Sequence, residues 1–303
     1  MEVIAIRDIQ PGEEVSPWTL PKLDTDLQIL TSYIDVSLPV ERRRSELEAT
    51  YKFKCECTLC MRDIEIRSSS YEGTEVDMRS AVWHRDCKRK VKGRGSLPSG
   101  CESKDSACIR CSKCKEGFDF DTKDLRINYQ RATSLLEADA KAQDGTSCSF
   151  SLYMVVDQPD LAPNSSLFQL VPALHAILVP SSFPLLSLLR LQLLRVRPGT
   201  SNELAHLDRL YAIVASASTL VYPANHPVLA ILHAEWGQIL TQTFEGEAHD
   251  LVSGRMVKSV ELLRKAYGLC QMAFGKGGGI EGMKVAEVLR GLEAEIHMAR
   301  SAR

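Results

Sequence analysis

The spacing of the cysteines constrains the fold of this chain more than any other feature of its sequence. Eight of the ten cysteines lie between Cys55 and Cys114. Three of them follow a C-x-C-x-x-C pattern, at Cys55, Cys57 and Cys60. A structural zinc ion takes four sulfur or nitrogen ligands in a tetrahedron, so these three thiolates would leave one ligand to come from elsewhere. We predict a zinc site at this turn. The alternative is a surface turn that carries three thiols and no metal.

A second cysteine pattern lies further along the chain. The run C-I-R-C-S-K-C gives C-x-x-C-x-x-C spacing at Cys108, Cys111 and Cys114. A C-x-x-C turn is the commonest half of a zinc ribbon. We predict a second metal site here, with Cys87 or Cys101 supplying the other half. The alternative is a flexible loop with redundant thiols.

The composition is that of an ordinary globular protein without a strong charge bias. Hydrophobic residues make up 44% and charged residues 25% of the 303 residues, and the formal net charge is -2. This charge argues against bulk electrostatic binding of nucleic acid. Residues 85–94 carry six basic residues against one acid, but charge runs are usually solvated loops, and we do not expect nucleic acid to be the main partner.

The sequence favours a reducing compartment. No basic segment followed by an apolar core opens the chain, so we expect no signal peptide. The most apolar region, residues 167–196, contains three prolines and Arg190, which makes it a poor membrane span. Without a secretory signal, ten cysteines are better explained as metal ligands than as disulfides. We expect localisation to the nucleus, the cytoplasm or both, and no membrane partner.

The C-terminal part of the chain carries helical patterns. Apolar residues recur at steps of three or four, with Pro227 at a plausible first helical position. The predicted helices cover residues 125–142, 167–178, 184–196, 202–220, 228–240, 257–270 and 285–296. Successive amphipathic helices with short turns suggest antiparallel helix pairs, as in tetratricopeptide-like arrays, with a grooved face that contacts protein. The alternative for each apolar stripe is simple core packing.

Several segments, in their order and spacing, carry a family resemblance. They are A-I-R-D-I-Q-P-G-E-E-V at 5–15, S-Y-I-D at 32–35, P-x-x-x-R-R at 39–44 and Y-x-F-x-C-x-C-x-x-C at 51–60. Together they resemble the C-terminal half of a SET-domain lysine methyltransferase with its post-SET cysteines, of the SET and MYND group. The segment V-Y-P-A-N-H-P-V-L-A at 221–230 resembles the helical C-terminal domain of that group.

The resemblance implies roles for three aromatic residues. Tyr33 and Tyr51 would line a lysine channel, where methyl transfer from S-adenosyl-L-methionine needs an in-line approach by a deprotonated amine. Phe53 would stack on the adenine of this donor. The substrate would be a protein, either histone or non-histone. Without the resemblance, Tyr33 would be read as a half-buried strand residue and Phe53 as a core aromatic anchoring the cysteine loop.

Two segments of the family are missing from the region before Cys55. In the family, a G-x-G turn holds the donor, and an N-H-x-C segment contacts it and supplies the fourth zinc ligand; neither precedes Cys55 here. We therefore expect the chain to be incomplete at its N-terminus relative to the family, and to bind S-adenosyl-L-methionine weakly or not at all. The alternative function is a non-catalytic zinc-binding scaffold for protein partners.

These observations together predict an α+β protein in which helix exceeds strand. Residues 1–62 would form a partial SET β-fold with the post-SET zinc motif. Residues 63–124 would form a cysteine-rich linker with a possible zinc knuckle. Residues 125–303 would form a mostly α-helical, tetratricopeptide-like domain.

Overall fold

Helices dominate the part of the chain that the computed structural model describes, which comprises residues 34–68, 75–87, 93–96, 106–144, 166–275 and 278–301. Strands occur there in two short antiparallel pairs. This is consistent with an α+β protein in which helix exceeds strand. The strands expected near the N-terminus lie outside the described residues, as do Tyr33 and Cys101.

The first described elements are two consecutive helices, α1 (Val40–Tyr51) and α2 (Thr58–Ser68). Helix α1 begins after Pro39, and it ends at Lys52, whose φ of 61° places it in the left-handed region typical of a helix end. Its buried face follows a helical repeat and consists of Val40, Arg43 and Leu47. Pro39 followed by Arg43 and Leu47 at helical spacing predicts a short helix at 40–50, which corresponds to α1. Helix α2 starts inside the cysteine motif and is not predicted from the sequence.

The segment predicted as a linker contains two β-hairpins. Strands β1 (Ala81–His84) and β2 (Gly93–Ser96) form one, and β3 (Ser106–Arg110) and β4 (Gly117–Asp121) form the other. The hairpins meet at Gly95, where a Cβ atom would lie 2.4 Å from the Ile109 side chain and 2.6 Å from the Arg110 carbonyl oxygen. Glycine therefore permits an approach of β2 to β3 that no other residue could make without displacing them.

Seven further helices follow in the described residues. They are α3 (Lys123–Asp144), α4 (Ser166–His175), α5 (Leu185–Arg195), α6 (Ser201–Ser218), α7 (Pro227–Ile239), α8 (His249–Phe274) and α9 (Gly279–Ser301). Each contains most of a segment that the apolar periodicity predicts as helical. Pro227 occupies the first turn of α7, as predicted. Among the described helices, none combines the length and the apolar character that a bilayer crossing requires.

The hydrophobic core joins the hairpins to the helices. A large, leucine-rich cluster runs from Val82 and Ile109 in the hairpins through α3–α7. A smaller cluster joins α7, α8 and α9. Helices α7 and α8 pack closely because Gly237 leaves room for Leu263, whose Cγ atom would lie 2.7 Å from a Cβ at that position.

Candidate metal centres

The three thiols of the C-x-C-x-x-C motif converge. One sulfur each from Cys55, Cys57 and Cys60 lies within 4.8 Å of the others. Cys55 and Cys57 belong to the stretch after α1, and Cys60 lies in the first turn of α2, so the start of the helix brings its sulfur back to the other two. In the described part of the chain, this group contains no fourth histidine, cysteine or carboxylate. It therefore offers three of the four ligands of a tetrahedral zinc site.

The environment of this group favours different protonation states for neighbouring thiols. Burial acts to raise the pKa of Cys57, but hydrogen bonds from the backbone N–H of Cys60 and from the Cys55 thiol lower it below its ordinary value. Burial raises the pKa of Cys60 to about 11, although Arg43 opposes the effect. A cation held between them would remove this conflict, since a coordinating thiol is deprotonated outright.

A buried ion pair between Arg43 and Asp63 contacts Cys60 of the thiol group. Arg43 Nη2 donates to Asp63 Oδ2 at 2.6 Å, and both residues are 2% exposed. The same nitrogen lies 3.8 Å from Cys60 Sγ, while Nη1 donates to the Leu38 carbonyl oxygen at 2.7 Å. Arg79 Nη1 lies 3.6 Å from the same Asp63 oxygen. The arginine of the P-x-x-x-R-R motif thus ties the turn before α1 to the cysteine-bearing α2.

Two of the predicted aromatic residues precede the thiol group in the chain and are exposed. Tyr51 is 47% exposed and Phe53 is 41% exposed, and they are the only exposed aromatic side chains among residues whose burial is described. Met61, directly after Cys60, is exposed as well. Tyr51 and Phe53 are therefore accessible, and they lie four and two residues before the candidate metal ligand Cys55 in the chain.

Two segments of the resemblance, far apart in sequence, contact each other. The Tyr222 hydroxyl donates to Asp35 Oδ1 at 2.9 Å, and Arg190 Nη1 donates to the Tyr222 oxygen at 2.7 Å. Burial raises the pKa of Tyr222 to about 12, so its hydroxyl remains a donor at neutral pH. Arg79 Nη2 also donates to the Val221 carbonyl oxygen, at 2.8 Å. The turn at 34–39 is thereby attached to the helical region.

A second group of ligands lies where the two hairpins meet, and it is complete. One ligand atom each from His84, Cys87, Cys111 and Cys114 lies within 4.8 Å of the others. The sulfurs of Cys87 and Cys111 are 3.8 Å apart, and Cys114 Sγ lies 3.5 Å from His84 Nδ1. With Zn–S bonds of about 2.3 Å and a Zn–N bond of about 2.0–2.1 Å, a tetrahedron places two sulfurs about 3.8 Å apart and a sulfur and a nitrogen about 3.6 Å apart. The sulfur–sulfur spacing of 3.8 Å and the sulfur–nitrogen spacing of 3.5 Å match these two values.

The local backbone lowers the pKa of the Cys111 thiol. Burial acts to raise its pKa, but hydrogen bonds from the backbone N–H of Cys114 and from the His84 ring lower it to about 6. The turn that aims this N–H is closed by the Lys115 N–H, which donates to the Cys111 carbonyl oxygen at 2.9 Å. Lys115 itself has a φ of 63°. This arrangement prepares the sulfur for metal binding.

The structure brings together some, but not all, of the residues predicted for the second site. Cys111 and Cys114 belong to the group of four, whereas Cys108 is exposed in β3 and is not part of it. Of the two residues considered for the other half, Cys87 is present in the group, and Cys101 lies outside the described residues. Sequence reasoning missed His84, although H-x-x-C spacing at His84 and Cys87 mirrors the C-x-x-C of the partner turn.

A known protein is similar to part of this chain. The chain is 41% identical over 59 residues to the N-lysine methyltransferase SMYD2 of Homo sapiens, a match that covers 20% of this chain and 10% of that protein. The chain therefore matches about a tenth of the length of this relative. No family model matches the chain. The similarity supports a relation to protein-lysine methyltransferases, weakly and at that coarse level.

Proposed function

We propose that this chain is a SET-type relative of S-adenosyl-L-methionine-dependent protein-lysine methyltransferases. In this proposal Cys55, Cys57 and Cys60 hold a zinc ion as the post-SET motif. Tyr51, together with Tyr33, belongs to a lysine channel, and Phe53 faces the adenine of the donor. The helical region contacts a protein substrate, histone or non-histone, in the nucleus or the cytoplasm.

The observation that carries the proposal is the convergence of the three thiols directly after Tyr51 and Phe53. A metal bound by these thiols would fix the short segment between α1 and α2, which contains Phe53 and directly follows Tyr51. The hydrogen bond from Tyr222 to Asp35 adds support, because it joins two segments that resemble the same family. The partial similarity to SMYD2 supports the same relation.

The zinc ion would act on the position of Tyr51 and Phe53 and not on the methyl group. Its three thiolates would need a fourth ligand, which the described residues do not place in the group. Methyl transfer itself needs a channel that desolvates the amine and holds it in line with the sulfonium methyl. Tyrosine hydroxyls suit such a channel, because they can accept a hydrogen bond from the amine or donate one to it without reacting.

Two exposed aromatic side chains, Tyr51 and Phe53, are too few to bind the donor tightly. An aromatic stack contributes about 0.5–1.5 kcal/mol beyond its buried area, whereas micromolar affinity corresponds to about 8 kcal/mol. Pockets gain affinity by enclosing the ligand with preorganised groups, whereas Tyr51 and Phe53 are both exposed. We therefore propose that the chain contacts S-adenosyl-L-methionine only weakly.

Ligand-observed NMR tests this proposal. In saturation-transfer experiments, the adenine protons of S-adenosyl-L-methionine should receive magnetisation from the wild-type chain and not from Phe53→Ala. Met61→Ala is the matched control, because it also removes an exposed apolar side chain beside the cysteine motif. Calorimetry should detect no micromolar binding. Micromolar binding that depends on Phe53 would instead indicate a complete donor pocket.

A second candidate function is a zinc-binding scaffold without catalysis. The complete ligand group at His84, Cys87, Cys111 and Cys114 favours it, because this group and the helices packed beside it require no methyl donor. For a scaffold, the adenine protons should receive no saturation from the wild-type chain, even though the protein binds zinc. The NMR experiment therefore separates the two functions.

A further inference from the structure

We propose that His84, Cys87, Cys111 and Cys114 bind one zinc ion in a closed, structural site that locks the two hairpins into a zinc ribbon. The inference does not depend on the methyltransferase relation. It differs from the sequence-based prediction in two ligands, since His84 enters the site and Cys108 does not.

The geometry of the turns supports a single metal with four protein ligands. His84 ends β1 and Cys87 follows it by three residues, while Cys111 and Cys114 occupy the turn between β3 and β4. Each hairpin thus contributes two ligands from one turn. The spacings of 3.8 Å between Cys87 and Cys111 sulfurs and 3.5 Å between Cys114 Sγ and His84 Nδ1 match tetrahedral zinc.

The ligand types select the metal and its role. Three thiolates and one imidazole favour zinc over the oxygen-preferring magnesium and calcium. Four protein ligands leave no open position for water or substrate, which distinguishes a structural site from a catalytic one. Cys111 is fully buried and His84 is 7% exposed, and the His84 ring stacks on Phe118 with centroids 4.2 Å apart. The imidazole is therefore held in place from outside the metal shell.

The ribbon attaches to the helical region through the other edge of β1. Val82 forms an antiparallel bridge with Leu178, just after α4. The Trp83 N–H donates to the Ile177 carbonyl oxygen at 3.0 Å, and the Val179 N–H donates to the Ala81 carbonyl oxygen at 3.0 Å. Because His84 ends this strand, the metal fixes the end of β1 that reaches the helices. Loss of zinc should loosen this junction.

The chain offers a matched control for the metal experiment. Cys108 and Cys111 are close in sequence and both carry free thiols, but only Cys111 belongs to the group of four. The backbone explains why Cys111 and not Cys108 belongs to the group. Side chains alternate in an extended segment, so Ile109 and Cys111 lie on the buried side and Cys108 on the exposed side. Cys108→Ser therefore tests the effect of removing a nearby thiol without removing a ligand.

Metal analysis of the purified full chain tests the site. Cys111→Ser and His84→Ala should each lower the zinc content by one equivalent relative to wild type, and Cys108→Ser should leave it unchanged. In a Cys57→Ser background, which removes a thiol of the other group, Cys111→Ser should still remove one equivalent. Unchanged zinc in Cys111→Ser, or equal loss in Cys108→Ser, would overturn the proposal.

Two further measurements keep the test valid if a ligand variant folds poorly. His84→Cys preserves a four-ligand set, so it should retain the zinc and, after exchange to Co2+, show a spectrum with added thiolate character. In hydrogen exchange, the Trp83 and Val179 amides should exchange faster when a chelator removes zinc from the wild-type chain. Amides of the α7–α8 pair should change less. Uniform exchange rates with and without metal would contradict a structural role at this junction.

Discussion

Loss of the buried ion pair between Arg43 and Asp63 should destabilise the protein strongly. Arg43→Met keeps an extended side chain but removes the guanidinium that donates to Asp63 at 2.6 Å. Breaking a buried ion pair typically costs about 3–5 kcal/mol, because the remaining charge stays buried without compensation. Arg79 Nη1, at 3.6 Å from the same carboxylate, provides partial compensation. We therefore expect a loss near the lower end, about 3 kcal/mol, in the free energy of unfolding.

Urea denaturation of zinc-loaded protein, followed by far-UV circular dichroism, measures this loss. Arg62→Met is the matched control, because Arg62 pairs with Glu75 at 2.5 Å but both side chains are about 60% exposed. Such exposed pairs contribute about 0–1 kcal/mol. If Arg43→Met costs no more than Arg62→Met, the burial argument is refuted and the ion pair does not hold α1 and α2 together.

Two other predictions follow from the packing and from a buried carboxyl group. Gly95→Ala should destabilise the hairpins by about 1–3 kcal/mol, because its Cβ would lie 2.4 Å from the Ile109 side chain; Gly254→Ala, on an open helix surface, should instead stabilise by up to about 1 kcal/mol in the same denaturation assay. Burial raises the pKa of Glu235 to about 7 from 4.5. The folded state therefore keeps the proton longer than the unfolded state, and stability should fall as pH rises from about 4.5 to about 7. Glu235→Gln should flatten this dependence, and a slope identical to wild type would contradict it.

The helical part of the fold follows directly from local sequence patterns. Apolar spacing of three or four residues predicts each helix from α3 to α9, because core packing on one face requires that period. Pro227 predicts the start of α7, since proline lacks the N–H that the first helical turn does not use. Helix α1 follows in the same way. The spacing does not predict that Arg43 is buried, because the burial of this charge depends on Asp63, which lies twenty residues later on another helix.

The group of His84, Cys87, Cys111 and Cys114 depends on contacts that the spacing of residues along the sequence does not predict. Three cysteines at equal spacing are equivalent in the sequence, yet only Cys111 and Cys114 lie in the turn between β3 and β4. Cys108 belongs to β3, where strand alternation places it on the exposed side. His84 joins the group of four through pairing of β1 with β2 and packing of the two hairpins at Gly95. These are long-range contacts that spacing alone does not reveal.

In the proposed function, zinc bound at Cys55, Cys57 and Cys60 holds Phe53 where it can face the methyl donor. Saturation-transfer NMR on Cys57→Ser tests it most directly, with Cys108→Ser as the control that removes a thiol outside both ligand groups. We predict that the adenine protons of S-adenosyl-L-methionine lose saturation in Cys57→Ser, together with zinc from this turn, and keep it in Cys108→Ser. Equal adenine saturation in Cys57→Ser and wild type, despite loss of that zinc, would show that the zinc does not position Phe53 against the donor.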